Sequence, residues 1–225
     1  MMELTGKMIA FVGDSITAGV GVSDIDYCRY DRILKRECGL QEALNYSISG
    51  TRLAYQQHAS TDPGRDRYFC SRICDIRRDA EIVVVFGGVN DYVHGDAPVG
   101  KMGDTTPDTF YGAVFYLMNT LKNTYHFPTV VFMTPARCFV GITPDTEPYP
   151  KTVGAENAEP LPVYVDAIVK SGMAMQIPVL NLYHDLGVNP SDRKDREAYT
   201  VDGIHLNDAG HRLLAQKLKS FLMNL

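Results

Sequence analysis

Five short apolar runs, each the length of a strand, recur along this chain with longer stretches of helical periodicity between them. The run from Ile82 to Phe86 reads Ile-Val-Val-Val-Phe, with none of the polar alternation of a strand that faces water on one side. A strand apolar at every position is buried on both faces, as in a parallel sheet covered by helices. Repeated βα units around such a sheet are therefore expected.

Strands are predicted at Lys7 to Val12, Leu44 to Ile48, Glu81 to Phe86, Thr129 to Thr134 and Pro178 to Leu182. Helices are predicted at Tyr27 to Cys38, Thr109 to Tyr125, Pro162 to Met175 and Asp208 to Leu222, the last with Asn207 or Asp208 able to cap its first turn. Tyr92 to Pro107 and Ala136 to Pro160 are rich in Gly, Pro, Thr and Asp and read as long loops, which in a compact domain serve as lids or lack fixed order. At 225 residues, with no repeat and no linker, the chain is expected to form one domain over 1–225.

The net charge of -5 and the scattered basic residues argue against nucleic acid as a partner, because phosphate neutralisation needs a clustered basic footprint. No apolar run is long enough for a membrane span. The N-terminus enters its first strand without the basic region, apolar stretch and small-residue site of a signal peptide, so a cytoplasmic location is expected. Cysteines 28, 38, 70, 74 and 138 are odd in number and form no paired CxxC motif, which favours reduced thiols. Cys70 and Cys74 would be neighbours on a helix, but zinc needs further ligands that are missing nearby.

Polar clusters fall immediately after the predicted strands. Gly13-Asp14-Ser15 follows the first, Ser49-Gly50 the second and Gly87-Gly88-Val89-Asn90-Asp91 the third, while Asp202-Gly203-Ile204-His205 lies beyond the fifth. In an open parallel sheet, ligands bind beyond the carboxyl ends of the strands, so these segments can converge. Each alone has an ordinary use: Gly-Asp-Ser as a capped turn, Gly50 as a turn glycine, Asn90-Asp91 as a turn pair, His205 as a surface histidine. Their conjunction carries the functional reading.

A serine hydroxyl is a poor nucleophile at neutral pH and needs an imidazole to take its proton, a role open to His205 for Ser15. The imidazole needs a carboxylate to fix its tautomer, and Asp202 stands three residues before it. Attack on a carbonyl creates an oxyanion, for which the Ser15 and Gly50 N–H groups and the Asn90 amide are candidate donors.

Together these segments resemble the SGNH hydrolase superfamily, the GDSL esterases and lipases. The resemblance rests on Gly13-Asp14-Ser15-Ile16-Thr17-Ala18-Gly19, Gly50, Gly88-Val89-Asn90-Asp91 and Asp202-Gly203-Ile204-His205-Leu206-Asn207, in that order along the chain. It implies a three-layer α/β/α, flavodoxin-like fold with a five-stranded parallel sheet, and neither cofactor nor metal. It assigns Ser15, His205 and Asp202 to a catalytic triad, and Ser15, Gly50 and Asn90 to an oxyanion hole. By the same resemblance, Asp14 and Asp91 brace their loops. Ile16 stands where the family's short name has Leu, and the Gly-x-Ser-x-Gly elbow of the α/β-hydrolases is absent.

The expected activity is hydrolysis of small O-acyl esters, with carbohydrate O-acetyl groups as the leading class by family analogy. Tyr92, His94, Phe139 and Tyr149 are candidate substrate contacts, since aromatic rings suit sugar or acyl faces. Other readings are a lysophospholipase, thioesterase or acyltransferase of the same family, a metal-dependent phosphoesterase built on Asp14, Asn90, Asp91 and His205, and a silent binding module. With His205 as base, turnover should rise with pH through about 6 to 7.5, because only neutral imidazole accepts the serine proton. A flat rate profile over that window would remove His205 from the role.

Overall fold

The computed structural model describes residues 1–140 and 159–225. In chain order the elements are β1 (Met8–Gly13), α1 (Ser15–Ala18), α2 (Ile25–Cys28), α3 (Tyr30–Cys38), β2 (Glu42–Ser47), α4 (Phe69–Arg72), β3 (Ile82–Phe86), α5 (Val89–His94), α6 (Phe110–Asn119), β4 (Thr129–Met133), α7 (Leu161–Met175), β5 (Val179–Leu180), α8 (Leu182–Asp185), α9 (Arg193–Tyr199) and α10 (Asp208–Met223). The five strands form a parallel sheet in the order β2-β1-β3-β4-β5. This is the flavodoxin-like order.

Side-chain alternation divides the buried residues between the two faces of the sheet. Ala10, Val12, Val83, Val85, Val130 and Phe132 pack on one side with Phe110, Leu117 and Ile168 from α6 and α7. Ile9, Phe11, Ile82, Val84, Val131 and Met133 pack on the other with Ile33 and Leu34 of α3 and Leu214 and Leu218 of α10. The result is three layers: helices, sheet, helices. Both faces of β3 are covered, which is why Ile82–Phe86 is apolar throughout.

Several element boundaries differ from the sequence reading. The helix expected from Tyr27 to Cys38 is two helices, because Arg29 takes extended geometry (φ -67°, ψ 139°) between α2 and α3. The second strand starts earlier, at Glu42, and ends at Ser47. The helix from Thr109 keeps α geometry only to Asn119 and then widens, with Tyr125 donating to the Thr120 carbonyl. The fifth strand shrinks to Val179–Leu180, since Asn181 turns the chain by accepting from the His184 amide and capping α8.

Tyr92, Val93 and His94 belong to α5 rather than to a loop. Helix α4 ends at Arg72, leaving Cys70 buried against the Leu53 and Ala113 carbonyls and Cys74 exposed. Most of the stretch from Ala136 to Pro160, with Tyr149 in it, lies outside the described residues. Among the described residues, no helix is long and apolar enough to cross a membrane.

His211 in α10 is fully buried, stacks on Tyr30 at 5.9 Å and accepts the Tyr30 amide proton through Nδ1. Burial lowers its pKa to about 4 and outweighs the pull of Asp31 and Asp208. The folded chain therefore keeps this imidazole neutral while an unfolded chain takes up a proton near pH 6.5, so stability is lost as pH falls from about 6.5 to about 4. In His211→Asn, which keeps an acceptor for the Tyr30 amide, denaturant titrations should show weaker loss over that window, the difference being at most about 1.4 kcal/mol per pH unit. Parallel stability–pH curves for parent and variant would contradict this assignment.

Candidate functional site

Ser15 opens α1 one residue past Asp14, which follows the last residue of β1. The turn is tight: a Cβ on Gly13 would stand 2.0 Å from the Thr17 hydroxyl. Asp14 is buried, and its Oδ1 accepts from the Ile16 amide at 3.0 Å, capping α1 and fixing the direction of the Ser15 side chain. Asn90 sits in the first turn of α5, after β3. Because β1 and β3 are adjacent, the two residues leave neighbouring strand ends at the point where the strand order reverses.

Asp202 and His205 lie on a hairpin held at its base. Thr200 and Leu206 form an antiparallel bridge, Val201 donates to the His205 carbonyl, and Gly203 turns the tip at φ +90°. The Asp202 Oδ1 accepts from the backbone amides of Ile204 and His205 at 2.9 and 2.7 Å. Its Oδ2 lies 2.6 Å from His205 Nδ1, and His205 Nε2 lies 2.9 Å from the Ser15 Oγ. Burial would raise the Asp202 pKa, but the hydrogen bonds from the His205 side chain and from the two amides override it and hold the carboxyl at about 2. Asp202 is thus a carboxylate at any neutral pH. That leaves an N–H on His205 Nδ1 facing it and a lone pair on Nε2 facing the Ser15 hydroxyl.

Gly50 follows β2 with φ +75°, a conformation that favours glycine, and a Cβ there would come within 2.9 Å of the Arg65 side chain. Among the described residues, neither the Ser15 nor the Gly50 N–H donates to a protein acceptor. Asn90 Nδ2 donates to the Thr51 carbonyl at 3.0 Å and to Asp14 Oδ2 at 3.3 Å. Ser15, Gly50, Asn90 and His205 all line one cleft of about 510 Å³.

Asp14 and Asp91 both turn inward. Asp91 accepts from the Leu53 and Ala54 amides at 3.0 and 2.9 Å, tying the segment after Gly50 to α5. Burial raises each carboxyl to about 6, against the hydrogen bonds each accepts. Arg72, not singled out in the sequence, lies beneath this layer and donates to the Gly13 and Tyr46 carbonyls and to the Thr51 hydroxyl. Its burial lowers its own pKa to about 10. Nothing local marks it, because its partners come from three separate segments.

The three aromatic candidates among the described residues do not gather. His94 reaches the cleft, with one ring nitrogen 2.9 Å from Arg52 and the other 3.0 Å from Asn90. Tyr92 is half-buried edge-on to Tyr164, outside the described lining of this cleft. Phe139 lies under the Arg196 guanidinium and donates its amide to the Gly203 carbonyl, so it packs behind the hairpin. Tyr149 is outside the described residues. The opposite wall of the cleft comes from the segment 56–65, including Gln56, His58, Thr61 and Arg65, none of which belongs to a recognisable motif.

The sequence matches the model of the GDSL-like Lipase/Acylhydrolase family over residues 11–213. The chain belongs to that family. It therefore falls within the SGNH hydrolase superfamily. A solved Lactobacillus plantarum protein is 30% identical, with 98% of each chain covered and a TM-score of 0.82. A lipase/acylhydrolase from Enterococcus faecalis shares the fold at 21% identity, with 97% of each chain covered and a TM-score of 0.61. An acetyl xylan esterase does so at 24% identity over 95% of this chain and 98% of its own, with a TM-score of 0.60. No curated protein matches the sequence.

Proposed function

We propose that this GDSL-family hydrolase is a serine esterase with Ser15 as nucleophile, His205 as general base and Asp202 as the carboxylate that orients it. The observation that carries the reading is the unbroken chain from Asp202 Oδ2 through His205 to Ser15 Oγ, with contacts of 2.6 and 2.9 Å. The proton count fits: the Nδ1 proton faces a permanent carboxylate, so Nε2 is available to the hydroxyl.

In this mechanism Ser15 Oγ attacks the acyl carbonyl as its proton passes to His205 Nε2. The carbonyl oxygen becomes an oxyanion received by the Ser15 and Gly50 amides and by Asn90, whose Nδ2 exchanges its longer contact, 3.3 Å to Asp14 Oδ2, for the oxyanion. Collapse breaks the ester C–O bond, and His205 returns the proton to the departing alcohol, leaving the acyl group on Ser15. Water then adds to the acyl-enzyme with His205 taking its proton, and the second collapse releases the acid and restores the hydroxyl. His205 shuttles the proton in both halves of the reaction.

The cleft favours small, polar esters. Among the described residues, its apolar lining consists of short side chains, Val20, Ala59, Val89, Val93 and Ile204, which suit an acetyl group. Around them stand Ser49, Gln56, Ser60, Thr61 and Arg65, groups suited to a hydroxyl-rich leaving group rather than a long acyl chain. Carbohydrate O-acetyl esters are accordingly the substrate class we assign, and the whole chain is read as one catalytic domain.

A fluorophosphonate probe should label the parent and fail to label Ser15→Ala. With acetyl esters, Asn90→Ala should lose about a hundred- to a thousandfold in kcat. Acetyl esters should turn over faster than octanoyl esters. Undiminished labelling of Ser15→Ala, or full turnover in Asn90→Ala, would overturn the mechanism, whereas a preference for octanoyl would overturn the substrate class alone.

A further inference from the structure

We propose that His94 is a positioning residue that holds the Asn90 amide by its oxygen and so keeps its nitrogen as the donor for the oxyanion, and that the buried Arg52 guanidinium sets the histidine tautomer required. The proposal rests on the serine-esterase reading. Its physical basis is a chain of groups whose donor and acceptor roles leave no freedom. Arg52 can only donate, and its Nη1 lies 2.9 Å from His94 Nδ1. Nδ1 is therefore the acceptor, and the neutral ring carries its proton on Nε2.

That proton points at Asn90 Oδ1, 3.0 Å away. The amide oxygen is thus committed to His94, and Asn90 Nδ2 is left facing the Thr51 carbonyl at 3.0 Å and, at a longer 3.3 Å, Asp14 Oδ2. Asn90 and His94 are four residues apart on α5, so they share one face of the helix. With the other tautomer, Nε2 would offer a lone pair to Oδ1, and the two facing acceptors would repel, loosening an amide then held only at Nδ2 by the Thr51 carbonyl and Asp14.

Arg52 is itself immobilised. It is 1% exposed, and its Nη2 donates to the Ser60 hydroxyl, the Arg65 carbonyl and Asp66 Oδ1 at 3.1, 3.1 and 2.9 Å. The loop that walls the cleft thereby fixes the guanidinium, the guanidinium fixes the imidazole, and the imidazole fixes the amide. Burial, reinforced by the charges of Arg52 and Arg65, lowers the His94 pKa to about 4, so the ring stays neutral wherever an esterase of this kind works. A histidine here does what a substrate contact could not, because both ring nitrogens are already engaged.

Two variants and one spectroscopic readout test this. Gln at 94 carries a carbonyl and an amide spaced like the two ring nitrogens, whereas Leu carries neither. His94→Leu should lower kcat on an acetyl ester about ten- to a hundredfold with KM within about twofold, and weaken an oxyanion-mimicking boronate in the same proportion, a smaller effect than losing the donor itself. His94→Gln should restore most of that loss. Nitrogen-15 chemical shifts of the parent imidazole should report the Nε2–H tautomer, which Arg52→Met should disturb.

An active parent with the proton on Nδ1 overturns the proposal and leaves the serine mechanism standing. So does a folded His94→Leu, by near-ultraviolet dichroism, that keeps parental kcat and boronate affinity. A parent that hydrolyses no ester and resists the fluorophosphonate removes the esterase reading, and the proposal with it.

Discussion

A single hydrogen bond of 2.9 Å joins the Ser15 hydroxyl to His205, across 190 residues of chain. No local preference brings these groups together; the sheet does. β1 aims Ser15 at the carboxyl edge, β3 delivers Asn90 beside it, and the hairpin before α10 swings the imidazole over both. The protein's chemistry consequently depends on the register of a parallel sheet buried on both faces, and the apolar monotony of Ile82–Phe86 is the first condition for everything at the rim.

Under the rim is a polar layer that holds the loops to one another. Arg72 ties the end of β1 to Thr51, Asp91 ties the segment after Gly50 to α5, and Asp14 links the Ser15 turn to Asn90. These groups are buried, so their hydrogen bonds are made in a medium where leaving one unmade costs about 1–3 kcal/mol. Such a layer is rigid for that reason. Rigidity is what the proposed oxyanion hole would need, since its donors must already be in place when the charge develops.

The parts legible in the sequence are those governed by periodicity or by a contiguous motif. Strand runs, the amphipathic helices α7 and α10, and the segments around Ser15, Gly50, Asn90 and His205 all belong to this class. The parts that were not legible depend on contacts between distant segments. Arg29 stands in extended geometry between α2 and α3 with its guanidinium paired to the buried Asp31 carboxylate, and β5 stops after two residues where Asn181 caps α8. Arg52 and Arg72 resemble any surface arginine in the sequence, and only the fold shows both buried. His94 was visible as an aromatic near the site, but its partners lie 42 residues before it and four residues before it, on opposite sides of the ring.

The serine mechanism requires an acyl group to pass through Ser15. It is tested most directly by quenching the enzyme in acid during turnover of an activated acetyl ester and sequencing its peptides by mass spectrometry. The account predicts one acetyl increment, carried by Ser15 and absent in Ser15→Ala, which should also lose turnover. Turnover that persists in Ser15→Ala, or an acetyl group on another residue that forms and decays at the catalytic rate, would contradict it.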